Sequence, residues 1–148
     1  LEKMNELCKE NDIELILIKS PSVYPYWYPQ WDQQIVDYAK ENDLTYINFL
    51  EIAEDKIGIE YDKDTFDGGL HLNLSGAEKF TDYFGNILSK DFKLPDHRND
   101  AEYEAIWKDK VDFYYAMKAD QERELREYGY LKSYGAATQT IGGSTEED

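Results

Sequence analysis

The sequence predicts an α/β domain with parallel strands, followed by a helical C-terminal extension. Two short apolar runs carry that expectation: "IELILIK" (13–19) and "TYINF" (45–49), each preceded by a stretch of helical spacing. Helix and strand alternating in this order is the pattern of parallel strands joined by crossover helices.

The elements follow in turn. "LEKMNELCKEN" (1–11) has helical periodicity, with Leu1, Met4, Leu7 and Cys8 on one face, and closes on a polar breaker. The run 13–19 is apolar at nearly every position, which suits a strand buried on both faces. The loop "SPSVYPYWYPQW" (20–31) holds three of the four prolines and many aromatic rings. A helix over 31–42 carries Ile35, Val36, Tyr38 and Ala39, and the second strand follows it. After a less regular stretch (50–69), Ser75 and Glu78 form a capping-box pattern. From there Ala77, Phe80, Phe84, Ile87 and Leu88 make a core-facing stripe that runs out near Lys90.

Composition shifts from Ala101. Residues 101–131 read as one long helix or two, with Tyr103, Ile106, Trp107, Val111, Tyr114 and Tyr115 on a packing stripe. The segment "SYGAATQTIGGSTEED" (133–148) reads as a disordered tail. The domain expectation is therefore 1–95 for the α/β part, 96–132 for the helical extension and 133–148 for the tail. Sheets of this class usually hold about four to six strands. Two strands leave an open edge, so the chain, which begins at Leu1 rather than Met, reads as a piece of a longer protein whose earlier strands cover it.

Composition narrows the functional classes. The 148 residues are 41% hydrophobic and 32% charged, which fits a globular chain. A net charge of −16 argues against nucleic acid as a partner, because phosphate binding needs a basic face. No run approaches the roughly 18 apolar residues of a membrane span. Cys8 is the single cysteine, which excludes an internal disulfide and a cysteine-based metal cluster; it reads as a small hydrophobe.

The chemistry concentrates in "DGGLHLNLSGAEKF" (67–80). As a calcium loop, "DKDTFDGG" (62–69) fails: Asp67 falls one position late, and the twelfth position from Asp62 is Asn73 where a bidentate glutamate is required. As plain structure, Asp67, Gly68 and Gly69 would make a turn and His71 would satisfy a backbone group. As catalysis, Asp67 would hold the imidazole of His71 in one tautomer, the glycines allowing the tight bend this needs. The position after a strand region and ahead of a helix N-terminus is where open α/β sheets place ligands.

The block "DGGLHLNLSGAEKFTDYFG" closely resembles the last block of bacterial SGNH (GDSL-like) hydrolases and their O-acetyltransferase relatives. "IELILIKSPS" is similar to a late strand of that fold leading to an active-site rim, and "DHRND" with the helix behind it to C-terminal extensions of such proteins. The resemblance spans roughly residues 1–118. It implies a partial three-layer α/β/α domain, flavodoxin-like in the SGNH manner, and the C-terminal part of an esterase or acyltransferase working on small esters, acetyl groups on carbohydrate above all. His71 would be the general base and Asp67 its orienting partner, with no cofactor. It also implies an extracytoplasmic or cell-envelope setting.

Two departures stand out. The family spacing is D-x-x-H, one residue shorter than Asp67 to His71, and the Gly-Asp-Ser nucleophile block and both oxyanion-hole blocks are absent. Ser20 and Ser22 lie in no strained elbow, and Ser75 reads as a cap. The nucleophile is thus expected from a missing N-terminal segment, leaving these 148 residues inactive alone. The competing reading is a noncatalytic carbohydrate- or protein-binding module that uses the aromatic loop 23–31 through Tyr24, Tyr26, Trp27 and Trp31, rings that could equally cover the core. His97 reads as a surface or capping residue.

Overall fold

Helix and strand alternate from the first residues. The structure is a computed structural model that describes residues 1–132; the tail read as disordered, 133–148, lies outside the described residues. Its elements are α1 (Glu2–Glu10), β1 (Ile16–Lys19), α2 (Pro29–Glu41), β2 (Thr45–Asn48), a π-helical turn (Ala53–Ile57), α3 (Leu74–Lys90) and α4 (Ala101–Tyr128). The chain is a mixed α/β protein in which β1 and β2 pair in parallel, Ile16 opposite Thr45 through Lys19 opposite Asn48. Contacts divide it into a unit spanning Leu1–Asn86 and a second from Ile87 onward.

Within the first unit the core gathers around Phe49, which is fully buried just past β2 and meets Phe80 and Phe84 of α3 edge-on at 4.9 and 5.2 Å. Leu17, Ala39, Ala53, Ile57 and Ile59 complete it. The expected α3 stripe is thereby seen facing inward at Phe80 and Phe84. Asn5, buried on α1, donates through Nδ2 to Asn42 Oδ1 at 3.0 Å, which ties α1 to the C-terminus of α2.

Several sequence expectations are corrected. Strand β1 is covered on one side: Leu17 is buried, whereas Ile18 on the opposite side is 44% exposed. Alternation sends neighbouring side chains to opposite faces, and a uniformly apolar run cannot say that one face lies open. Leu1, just ahead of α1, and Met4 and Leu7 on it are exposed and Cys8 is half-buried, the polar Asn5 taking the inward position instead. Helix α2 begins two residues earlier than expected, at Pro29, because a proline fits the first helical position, where its missing N–H is not needed.

The cap of α3 differs too. Asn73 Oδ1 accepts from Gly76 N at 3.1 Å, so Asn73 is the capping residue; Ser75 instead donates its hydroxyl to Asp64 Oδ1 at 2.8 Å. In the second unit α4 is one continuous helix with no buried residue, and the stripe residues Tyr103, Ile106, Trp107, Val111 and Tyr115 are all exposed. Among the described residues no helix is long and apolar enough to cross a membrane.

One carboxylate organises the segment between β2 and α3. Asp64 is 1% exposed, and its Oδ2 accepts from Glu60 N at 2.7 Å and from Lys79 Nζ at 2.6 Å. Its own carbonyl accepts from Asn73 N at 2.9 Å, and a Cβ on Gly76 would stand 2.3 Å from that oxygen. Burial pushes the Asp64 carboxyl up, but the bonds from Glu60 N, Lys79 and Ser75 outweigh it and hold its pKa below the ordinary value. A depressed pKa contributes stability above the unfolded value of about 3.9, and that contribution is lost as pH falls through the folded one. Asp64→Ala is expected to cost about 2 kcal/mol in urea denaturation at neutral pH, since it removes the buried acceptor of Glu60 N, Ser75 and Lys79, although Lys79 keeps the Gly58 carbonyl. The gap between wild type and variant should close as the pH is lowered below about 4.

Candidate functional site

The site forms on a tight hairpin between the π-helical turn and α3. Phe66 N donates to His71 O at 3.0 Å, and Thr65 bridges Leu72 in antiparallel fashion, so residues 67–70 make the bend. Gly68 and Gly69 take φ of +69° and +115°, a region in which a side chain is strained. Gly69 also lies against Val23, whose Cγ2 would be 2.3 Å from an added Cβ.

This bend brings Asp67 to His71. The imidazole Nδ1–H donates to Asp67 Oδ2 at 2.6 Å, while Oδ1 of the same carboxylate accepts from His71 N at 2.8 Å and Leu70 N at 3.1 Å. With Nδ1 engaged, the neutral ring presents Nε2 as its free acceptor, and no described side chain hydrogen-bonds it. The imidazole is 62% exposed and the carboxylate 34%. The diglycine bend closes the four-residue step from Asp67 to His71. The His71 side-chain hydrogen bond, with its backbone N–H second, holds the Asp67 carboxyl below its ordinary pKa.

The aromatic loop docks onto this hairpin. Val23 N donates to Gly69 O at 2.9 Å, and Ser22 Oγ lies 2.8 Å from the carbonyl of Leu70. Of the four rings singled out from sequence, Tyr24, Tyr26 and Trp31 are exposed, whereas Trp27 is half-buried and donates its Nε1–H to Asp32 Oδ1 at 3.0 Å. Tyr46 OH and Asn48 Nδ2 donate to that same oxygen at 2.6 and 2.8 Å. Burial raises the Asp32 carboxyl, and these three bonds overcome it, leaving a lowered pKa.

Sequence reasoning singled out neither Lys19 nor Asp32, and it weighed Tyr28 only as a ring that could cover the core. Lys19 ends β1 and donates from Nζ to the carbonyls of Ser20 and Ser22, both at 2.8 Å, with its pKa lowered by burial. A lone cation closing an apolar strand, and an acid in the first turn of a helix behind a proline, were the available signals. His97 belongs to the second unit, 3.6 Å from Asp100 and tilted over Tyr103. There Asp100 accepts from Glu102 N at 3.0 Å as the α4 cap, so His97 supports the capping segment.

Comparison with protein-family models, curated proteins and solved structures found no match. Carboxyl titration by carbon-detected NMR provides a direct check on the Asp67–His71 pair. Asp67 is expected to titrate below the ordinary aspartate range, and His71→Ala to move it back up; an Asp67 unaffected by that substitution would show the contact absent in solution.

Proposed function

We propose that this chain is the C-terminal part of an SGNH-type esterase or acyltransferase, in which the β1–α2–β2 unit belongs to a three-layer α/β/α domain. The hydrogen bond of 2.6 Å between His71 Nδ1 and Asp67 Oδ2 carries the reading. A carboxylate on Nδ1 leaves Nε2 to take the proton of a serine hydroxyl and later return it to the leaving oxygen. Its placement beside a loop that leaves the C-terminal end of β1 agrees with the crevice position of sites in open α/β sheets.

The serine is supplied by a segment outside these residues. Ser75 is committed to Asp64, and Ser22 Oγ lies 2.8 Å from both the Tyr24 and the Leu70 carbonyls; among the described residues no serine hydroxyl reaches the His71 ring. A small acyl group, acetyl above all, is what the resemblance to that family implies.

p-Nitrophenyl acetate tests the proposal. The 148-residue chain is expected to match its His71→Ala variant, with no turnover above buffer. In a longer polypeptide that carries the serine, His71→Ala should lower kcat/KM by on the order of 10⁴-fold. Unchanged turnover in that variant would remove His71 from the reaction; turnover by the short chain that His71→Ala abolishes would place the nucleophile within it.

A further inference from the structure

Three exposed rings beside the His71 hairpin face no partner in the protein core. Tyr26, Tyr28 and Trp31 are 61%, 48% and 44% exposed. They touch one another edge to face, Tyr26 to Tyr28 at 4.8 Å and Tyr28 to Trp31 at 4.7 Å. Through these contacts the three rings make one continuous aromatic surface open to solvent.

The cluster is held rigidly. Tyr28 precedes α2, and its carbonyl accepts from Trp31 N at 2.9 Å and Asp32 N at 3.2 Å, so two of the rings share one helical turn. Pro29 sets the backbone between them. From behind, Trp27 is clamped by Asp32 and meets Trp31 edge-on at 5.8 Å. Rings fixed before binding lose little entropy when a ligand arrives.

The chemistry of the surroundings selects the ligand. A sugar ring offers C–H faces that pack on aromatic faces and rim hydroxyls that pair with phenol groups, and Tyr26 and Tyr28 supply both kinds of contact. Lys19, at the end of β1, has its ammonium turned to the Ser20 and Ser22 carbonyls and 5.7 Å from the Trp27 ring centroid, away from the open rings. With a chain charge of −16, a polyanion is repelled.

We infer that Tyr26, Tyr28 and Trp31 form a stacking platform for a neutral glycan next to the His71 hairpin, with Trp27 as its brace. The inference rests on the proposed esterase reading for the identity of the acyl carrier: the platform takes the sugar, and the Val23–Gly69 and Ser22–Leu70 contacts fix its place relative to the imidazole.

Binding and turnover are separate readouts, so a failed esterase assay leaves this test intact. The 148-residue chain is titrated by isothermal calorimetry with xylotetraose, cellotetraose, mannotetraose and tetra-N-acetylchitotetraose, and with tetragalacturonic acid as the charged comparison. At least one neutral tetrasaccharide is expected to bind in the millimolar range or tighter. Tyr26→Ala and Trp31→Ala, each checked for native circular dichroism, should weaken it about tenfold or more, the loss of one stacked ring. Phe113→Ala, which removes a still more exposed ring on α4, should leave it unchanged. Absence of binding by all four sugars, equal sensitivity to Phe113→Ala, or preference for the charged oligomer would each overturn the platform. Self-association of the chain that Tyr26→Ala abolishes, without sugar binding, would reassign these rings to a protein contact.

Discussion

Burying the carboxylate of Asp64 constrains everything between β2 and α3. Charged oxygens removed from water must be met by donors, and here three donors come from two sides: Glu60 N before it, and Ser75 and Lys79 on the helix after it. Satisfying them draws the first turns of α3 against the turn at 60–64. The Asp64 carbonyl, bonded to Asn73 N, closes the base of the hairpin from the other side. Residues 65–72 have no freedom left except to project as a bend, and Asp67 and His71 stand on that bend. Gly76 is part of the same constraint, because any side chain there would collide with the Asp64 backbone.

The second constraint acts from the strand end. Lys19 and Asn48 sit opposite each other at the C-terminal edge of the sheet. Each reaches outward, Lys19 to the carbonyls of the aromatic loop and Asn48 to Asp32 at the start of α2. The loop so anchored then meets the hairpin at Gly69 and Leu70. Sheet, loop and hairpin are thus linked by polar contacts at their rims, and Phe49 with its ring partners supplies the apolar interior beneath.

Much of this was legible in the sequence. Parallel strands, the helices between them, the end of α3 at Lys90 and the candidate pair Asp67 and His71 all follow from periodicity and turn chemistry. What escaped was decided by tertiary contact. Ser75 carries the sequence signature of a cap, yet Asn73 takes that role once Asp64 claims the serine hydroxyl. Leu1, Met4 and Leu7 have the spacing of a buried stripe, but the inward place on α1 belongs to Asn5, whose amide partner lies 37 positions away. Trp27 looks like its exposed neighbours in sequence, and only the convergence of Tyr46 and Asn48 on Asp32 reveals a ring turned to internal duty. No local pattern encodes such meetings.

The carboxylate of Asp67 divides its two oxygens between the peptide amides of the bend and the imidazole. Both duties fall on one rigid planar group, so rotating it to suit one partner pulls it from the other. A disturbance that loosens the bend therefore draws the carboxylate away from the ring in the same motion, so the order of the backbone turn and the aim of the imidazole rise and fall together.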